Sequence, residues 1–273
     1  MTRTTQAVIL ARGLGSRMRR AEAAVALNAE QERAAAAGQK GMMPTLGRPF
    51  LDFVISALAD AGITDVALVV APEHSMMRGY YEQEAPPQRV HMHWAVQAEP
   101  RGTADAVHSA EGVVHDAPFL VLNSDNYYPV ASTRALCALH GAGLVAFERE
   151  ALVRESNIER ERVSAYALLD IDEDGCLRAI VEKPSSDHPL AQRAEHWVSM
   201  NLWSFTPVIF EACCRVKPSV RGELELQDAV MIAIEELGES FHVVRAHSGV
   251  LDMSRRADIA SVADRLRDVV VRP

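Results

Sequence analysis

The sequence predicts an α/β protein whose sheet is mixed but mostly parallel, with helices on both faces and a smaller antiparallel part. Through the first 150 residues, apolar runs of strand length alternate with amphipathic helical patterns. After about residue 163 the apolar runs follow one another directly, and a DEDG turn at 172–175 separates two of them. Alternation is typical of parallel sheets covered by helices, whereas successive strands joined by tight turns are typical of antiparallel pairs.

The first half contains the alternating elements. The segment 51–61 has an apolar stripe that includes Phe53, Leu58 and Ala61, at the spacing of one helix face. The same criteria predict strands at 7–10, 66–70, 90–95, 119–122 and 143–147, and helices at 51–61, 104–114 and 132–140.

The second half is richer in strands. Its apolar runs predict strands at 163–171, 177–181, 197–205 and 241–245, and helices at 207–214, 225–236 and 255–270. No low-complexity linker interrupts the chain. We therefore expect a single continuous domain over 1–273, made of an N-terminal half, 1–150, and a C-terminal half, 151–273.

One segment departs from the alternating pattern. Residues 19–44 are rich in Ala and Glu, which favour helix, but they lack a broad apolar face. This composition is compatible with a helical flap over the sheet edge and equally with a solvated surface helix.

Charge and composition limit the possible partners. The 273 residues include 28 Lys and Arg against 37 Asp and Glu, which gives a formal net charge of −9. This balance excludes a basic nucleic-acid surface, so any anionic ligand must be bound by a local group of cations and backbone N–H groups.

Several features indicate a cytoplasmic protein. The four cysteines form no C-x-x-C pair, which favours free thiols in a reducing compartment over a zinc site. The polar N-terminus does not resemble a signal peptide, and no apolar run approaches the ~18 residues of a membrane span. We expect no membrane partner.

The stretch ILARGLGSRMRR, residues 9–20, predicts a strand that runs into a glycine turn. It fails the dinucleotide fingerprint, because Met18 occupies the third glycine position. What remains is a loop whose backbone can surround phosphates at the start of a helix. Arg17 could direct its guanidinium at those phosphates, or it could be a solvated helix-start residue.

The order of several motifs identifies a family. ARGLGSRM is followed by QKGMMPTLGRPFLDFVISALADAGI at 39–63, and then by QAEPRGTADAV, LVLNSDNYYP, VEKP, VSMNLWSF, RGELELQDAV and GVLDM. This series resembles the nucleoside-triphosphate:sugar-1-phosphate nucleotidyltransferases over nearly the whole chain. The resemblance implies a Rossmann-like fold, with nucleotide bound by 1–150 and sugar phosphate by 151–273.

The resemblance also implies the reaction. A sugar 1-phosphate oxygen attacks the α-phosphorus of an NTP and expels pyrophosphate, and Mg²⁺ assists. Because both substrates are anions, catalysis should consist of charge neutralisation and in-line positioning, without a protein nucleophile. The expected partners are an NTP and a sugar 1-phosphate, with a homo-oligomer possible; the base is left open.

The resemblance also implies which residues bind the nucleotide. Arg17 matches an arginine that stabilises charge on the pyrophosphate side, and Lys40 a lysine that contacts the α-phosphate or the sugar phosphate. Gln39 stands where the family has proline, and the spacing from Arg17 to Lys40 is longer by about a dozen residues. The positions that match nucleotide-binding residues are Leu10, Ala11, Gly13, Gly15, Gln97, Gly102 and Thr103. Of these, Gln97 and Gly102 match the base-contacting pair, and Thr103 is a plausible cap of the following helix.

Two acidic residues match the metal ligands. Asp125 ends a strong strand at the edge where open α/β sheets bind ligands, and a carboxylate there suits Mg²⁺. Asp252 matches the second ligand. Without a metal, Asp125 would be a turn residue and Asp252 a helix N-cap.

The sugar-phosphate side is assigned by the same resemblance. Glu182 and Lys183 match a pair that contacts sugar hydroxyls and phosphate, although an exposed ion pair is the plain alternative. Ala167 and Asn201 stand where glycines are common, which suggests a substrate other than glucose 1-phosphate. The complete set is Tyr166, Ala167, Glu182, Lys183, Ser199 and Asn201.

Three other functions compete with this prediction. A transferase for a cyclitol or another phosphorylated alcohol would share the chemistry, and a non-catalytic nucleotide or sugar-phosphate sensor would share the fold. A metal-dependent glycosyltransferase would carry D-x-D at the strand end, where this chain has Asp125, Asn126 and Tyr127.

Overall fold

The structure is a computed structural model that describes residues 3–13, 15–20, 27–164, 166–182 and 184–273. Nine strands of the described residues form one sheet, and two pairs of short strands lie outside it. The strands are β1 Gln6–Leu10, β2 Pro44–Thr45, β3 Arg48–Pro49, β4 Asp65–Val70, β5 His91–Val96, β6 Phe119–Asn123, β7 Asn126–Tyr127, β8 Gly143–Glu148, β9 Leu168–Ile171, β10 Leu177–Val181, β11 Trp197–Phe205, β12 His242–Ala246 and β13 Leu251–Asp252.

The N-terminal half builds the parallel part of the sheet. β1 lies between β4 and β6 and pairs with both in parallel, and β5 extends the row beyond β4. Parallel strands end at the same edge, so the residues after β1, β5 and β6 meet there. This arrangement confirms the prediction of a mixed, mostly parallel sheet with helices.

The long strand β11 joins the two halves. It is antiparallel to β6 on one side, and it also pairs antiparallel with β8 and β9. β10 continues from β9, and β12 pairs in parallel with β8. Strands from both halves of the chain therefore lie in one sheet.

Helices cover both faces of the sheet. The helices are α1 Ser16–Arg19, α2 Ala29–Ala37, α3 Phe50–Ala61, α4 Ser75–Gly79, α5 Thr103–His108, α6 Val130–Cys137, α7 Arg149–Glu155, α8 Arg160–Ser164, α9 Val208–Arg215, α10 Leu226–Glu235 and α11 Asp258–Leu266. None of the helices in the described ranges is long and apolar enough to span a bilayer.

The core has one layer on each face of the sheet. Along β1, Ala7 and Ile9 pack into the layer that contains α3 and α6, whereas Val8 packs into the layer that contains α5, α9 and α10. This follows from the strand period of two, which points successive side chains to opposite faces. Because both faces are covered, the central strands are continuous apolar runs.

Some predicted boundaries are wrong. The predicted strand 163–171 begins only at Leu168, because residues 160–164 form α8 and bury Val163. The predicted helix 104–114 ends at His108, and α11 is shorter than the predicted 255–270. A run of apolar residues does not by itself distinguish a short buried helix from the start of a strand.

The Ala-rich segment contains a real helix with defined ends. Asn28 and Gln31 form a capping box at the start of α2, and Gly38 ends it in a left-handed conformation with φ 72°. Ala34 and Ala35 are buried in the core, although the opposite side is exposed. The helix packs against α1 and the β2 strand and delivers Lys40 to the edge of the sheet.

Candidate active site

A cleft of about 530 Å³ lies at the carboxyl edge of the parallel strands. It is lined by the glycine turn after β1, by the residues that follow β5 and β6, and by the segment that α2 delivers. Ten predicted site residues line it: Leu10, Ala11, Gly13, Gly15, Arg17, Lys40, Gln97, Gly102, Thr103 and Asp125. The structure thus gathers residues from four separate sequence motifs in one place.

The two glycines of the turn have different surroundings. Gly15 has φ 60°, and a Cβ there would lie 2.4 Å from the carbonyl oxygen of Gly38. A Cβ on Gly13 would meet nothing within 4 Å. Gly15 is therefore required by packing against the end of α2, whereas Gly13 only borders open space in the cleft.

The two cations that were predicted to contact phosphates line the cleft. Arg17 lies on the wall with an exposed side chain. Lys40 donates a hydrogen bond to Asp125, with 2.6 Å between Nζ and Oδ2, and both side chains are partly exposed. An ammonium group held on the wall by a carboxylate is available to an incoming phosphate at little cost in reorganisation.

The two predicted metal ligands are neighbours. Asn126, next to Asp125, pairs with Asp252 across β7 and β13. The backbone N–H of Met253 also donates to the carbonyl oxygen of Asp125 at 2.8 Å. Asp125 borders the cleft, whereas Asp252 is 5% exposed and lies behind it. The two chain segments therefore lie next to each other, and the role of Asp125 and Asp252 as metal ligands stays a prediction.

Asp252 is fully engaged by the protein. Its Oδ1 accepts hydrogen bonds from Ser254 at 2.7 Å and from Asn126 at 3.2 Å, and its Oδ2 pairs with Arg162. Burial raises the pKa of Asp252 to about 6, and the negative charge of Asp125 adds to the rise.

Sequence reasoning did not single out Arg162. It lies on α8, directly before the segment 163–171 that was predicted as strand, and it bridges Asp252 to Asp258, with 3.0 Å between Nη1 and Oδ1 of Asp258. Asp258 in turn accepts from the N–H groups of Ser254 and Arg255, so it caps the approach to α11. The predicted N-cap role of Asp252 is wrong, since α11 begins only at Asp258 and Ala257 occupies its N-cap position.

Two positions that were predicted to contact the base, Gln97 and Gly102, also line the cleft. Gly102 has φ 125°, and a Cβ there would lie 2.4 Å from the carbonyl oxygen of Leu224. Thr103 does not cap its own helix, contrary to the prediction; its hydroxyl accepts from the N–H of Leu226 at 2.9 Å and so satisfies the start of α10. Contact with the segment 223–227 explains why the glycine and threonine are needed.

Asn201 has a conformational reason that the sequence did not reveal. It has φ 58°, in the left-handed region that asparagine tolerates better than most residues, and it lies at an irregularity of β11 between Ser199 and Trp203. Asn201 can therefore replace glycine without any change of substrate. It borders a second cavity of about 90 Å³ beside the main cleft, together with Asn123, Trp203, Glu225 and Gln227.

Among the residues that the structure describes, the others that were predicted to contact the sugar do not line either of these two cavities. Tyr166 is half-buried; burial raises the pKa of its phenol to about 12, and the positive charges of Arg162 and Arg17 oppose the rise. Ala167 is half-buried and Glu182 is exposed. Lys183 lies outside the described residues, so its predicted role stays a prediction.

Arg12 is a cleft residue that sequence reasoning missed. Its Nε donates to the carbonyl oxygen of Gln97 at 2.7 Å, and its Nη2 to that of Ala98 at 3.0 Å. The arginine thereby ties the glycine turn to the segment after β5. The other polar residues of the cleft wall that lie outside the predicted site set are Ser16, Asn123, Ser124, Glu223 and Ser254.

A glycine turn, a wall of cations and a carboxylate at the carboxyl edge of a parallel sheet define an α/β enzyme that handles phosphorylated substrates. The chain belongs to the nucleotidyl transferase family, which it matches over residues 35–261. This membership confirms the family that the sequence motifs indicate. It also confirms the predicted enzyme class, the sugar-1-phosphate nucleotidyltransferases.

Individual relatives agree with this membership. The chain is 26% identical over 267 residues to UTP–glucose-1-phosphate uridylyltransferase AglF of Haloferax volcanii, covering 96% of this chain and 97% of that protein. It is 24% identical over 235 residues to glucose-1-phosphate thymidylyltransferase of Neisseria meningitidis serogroup A, covering 84% and 76%. The solved structure of UTP-bound UGPase from Acinetobacter baumannii is similar in fold, with a TM-score of 0.73 at 16% identity over 98% of this chain and 95% of that one.

Proposed function

We propose that this protein transfers a nucleotidyl group from an NTP to a sugar 1-phosphate in the 530 Å³ cleft. A phosphate oxygen of the sugar forms a bond to the α-phosphorus, and the bond from that phosphorus to the β-phosphate bridging oxygen breaks. The products are an NDP-sugar and pyrophosphate. The observation that carries the proposal is the convergence of Arg17, Lys40 and Asp125 beside the glycine turn.

The cations act on the repulsion between the two substrates. Lys40 lies against Asp125, so its ammonium group is held in place before an α-phosphate or sugar phosphate arrives. Arg17 is the second residue of α1, two positions after Gly15, where it can neutralise the charge that develops on pyrophosphate. Removing one such preorganised group costs about 100- to 1000-fold in comparable electrostatic sites.

Asp125 and Asp252 would hold Mg²⁺. The fit is chemical: carboxylate oxygens are hard ligands, and the pairing of Asn126 with Asp252 brings the two segments together. Asp252 would exchange one of its present side-chain partners for the ion. Asp125 is the member on the cleft wall, while Asp252 is bound to Arg162 behind it. When bound, the ion would neutralise the substrate phosphates.

The small second cavity supports a polar sugar on the far side of the reacting phosphates. It opens beside Leu10, Thr103 and Asn123 of the main cleft, and it offers Asn201, Glu225 and Gln227 as polar groups. We assign the sugar ring to this cavity, with Tyr166, Ala167, Glu182, Lys183 and Ser199 as further contacts. A cyclitol phosphate, which also presents a ring of hydroxyl groups, is the alternative substrate.

The test is pyrophosphate release over a matrix of NTPs and phosphorylated substrates. UTP, dTTP, GTP, CTP and ATP are each combined with glucose, mannose, N-acetylglucosamine and inositol 1-phosphates, with and without Mg²⁺. We expect turnover that requires Mg²⁺ and prefers a sugar 1-phosphate. A clear preference for inositol 1-phosphate would move the assignment to cyclitol transfer.

A variant of the wall carboxylate separates catalysis from sensing. Asp125→Asn keeps the shape but removes the charge, and we expect pyrophosphate release to fall at least about 100-fold. Asp264→Asn is the matched control, because Asp264 is an exposed residue of α11 far from the cleft wall. Nucleotide binding without turnover in the wild type would indicate a sensor.

A further inference from the structure

Gln97 is fixed by its backbone at the end of β5. It is 3% exposed and borders the cleft. Its N–H donates to the carbonyl oxygen of Val70 at 3.0 Å, and its own carbonyl accepts from Arg12 at 2.7 Å. The residue cannot shift without breaking the tie between β4, the glycine turn and the segment after β5.

The side chain of Gln97 is also fixed. Its Nε2 donates to the carbonyl oxygen of Gly102 at 3.0 Å and to Oδ2 of Asp105 at 2.8 Å. A carbonyl and a carboxylate can only accept, so the carboxamide atom that faces them must be the nitrogen. Both of its hydrogens are then used, and only the oxygen of Gln97 is left for a ligand.

We propose that Asp105 is a positioning residue that fixes Gln97 with its carboxamide oxygen toward the nucleobase, and thereby sets the discrimination between keto and amino bases. The inference rests on the proposed function, because it requires a nucleotide in the cleft. Asp105 does not border the cleft and so acts through Gln97.

The selectivity follows from the chemistry of the bases. Uracil and cytosine have the same ring but exchange donor and acceptor at N3 and at the group on C4; guanine and adenine differ in the same way at N1 and C6. At one position of the base in the cleft, an acceptor-only side chain favours the member whose facing atom carries a hydrogen. A carboxamide free to rotate by 180° would accept both members.

A residue in the first turn of α5 therefore holds the side chain of the residue that follows β5. Asp105 lies two residues after the start of α5 at Thr103, and the hydroxyl of Thr103 anchors α10. Asp105 also pairs with exposed Arg101, with 3.8 Å between Nη1 and Oδ1. Because Arg101 and Gln97 approach different oxygens of Asp105, a variant of Arg101 can remove the ion pair and leave the contact with Gln97 intact.

The experiment measures dissociation constants of UTP, CTP, GTP and ATP by calorimetry for the wild type, Asp105→Asn, Asp105→Leu and Arg101→Gln. The readout is the ratio between the better-bound base and its keto or amino counterpart. We expect Asp105→Leu to reduce the ratio about tenfold, because one of the two acceptors that hold the Gln97 nitrogen is then lost. Asp105→Asn can still offer an amide oxygen to that nitrogen, so it should retain most of the ratio. Arg101→Gln should leave the ratio unchanged within about twofold.

Other results would overturn the inference. A purely structural role of Asp105 would weaken both nucleotides equally and leave the ratio unchanged, and a wild-type ratio near one would contradict the inference directly. If Asp105→Leu does not fold by circular dichroism, Asp105→Ala, which removes the same acceptor with a smaller side chain, replaces it. A wild type that binds no NTP would instead refute the proposed function, and with it this inference.

Discussion

Two ion pairs stand side by side at the edge of the sheet and have opposite surroundings. Lys40 and Asp125 form the pair on the cleft wall, with side chains 21% and 16% exposed. Arg162 and Asp252 form the pair behind it, with side chains 10% and 7% exposed, and Asp258 completes a buried triad. The wall pair comes from the N-terminal half, whereas the buried pair comes entirely from the C-terminal half.

The difference in exposure indicates that one pair is available to a ligand and the other contributes to folding. A partly exposed pair contributes little to folding, but its ammonium group can reach a ligand. A buried guanidinium that serves two carboxylates contributes to folding through groups that would otherwise be left unpaired in a low-dielectric interior. We therefore expect variants of the wall pair to affect turnover and the loss of Arg162 from the buried pair to affect stability.

The largest expected effect is on the buried pair. Arg162→Met removes the shared partner of Asp252 and Asp258, and we expect the free energy of unfolding to fall by about 3–5 kcal/mol. Urea denaturation measures this. Arg160→Gln, on the same helix but in an exposed pair with Glu150, is the control and should change little. Equal losses in the two variants would remove the distinction between the pairs.

Lys40 tests the wall pair. Lys40→Met should lower turnover by about 100- to 1000-fold, because the cation on the wall is lost. The free energy of unfolding should change by no more than about 1 kcal/mol, since the pair is partly exposed. Parallel measurement of pyrophosphate release and urea denaturation checks both numbers. A stability loss as large as that of Arg162→Met would contradict the assignment of Lys40 to chemistry.

The two glycines of the turn differ in the same way, because one is expected to affect stability and the other ligand binding. Gly15→Ala places a Cβ 2.4 Å from the Gly38 oxygen at φ 60°, and we expect a loss of about 2 kcal/mol in unfolding free energy. Gly13→Ala meets no atom within 4 Å, so its stability should match that of the wild type. Its affinity for NTP should fall, because the methyl group enters the cleft. Unchanged NTP affinity in Gly13→Ala would argue against phosphates at this position.

The smallest expected effect is the pH dependence that Asp252 contributes. Its pKa is raised to about 6 in the folded protein, above the ordinary value of 3.8, so between these values the folded state binds more protons than the unfolded state. Stability from this group therefore falls as pH rises from about 4 to about 6, by at most about 1.4 kcal/mol per pH unit.

Asp252→Asn should remove this contribution. The difference in unfolding free energy between the wild type and the variant, measured by urea denaturation at pH 4.5, 5.25 and 6, should decrease as pH rises. A difference that does not vary with pH would mean that Asp252 titrates near its ordinary value.

The parts of the site that were predictable depend on local sequence. The strand 6–10, the glycine turn and Asp125 at the end of β6 follow from short-range patterns, and the structure brings them to one edge of the sheet. α8 was missed because its buried Val163 resembles a strand residue, and with it Arg162 was missed. No local pattern pairs Arg162 with a carboxylate 90 residues away.

The sequence by itself determined the alternation of strands and helices, the covered sheet and the family, because each rests on periodicity or on motifs within a few residues. Only the tertiary structure decided which carboxylate borders the cleft and which is buried against Arg162. It also decided that hydrogen bonds within the protein occupy the carboxamide nitrogen of Gln97 and leave its oxygen for a ligand. These outcomes depend on burial and on hydrogen-bond partners that become neighbours only when α5, α8 and β13 pack against the edge of the sheet.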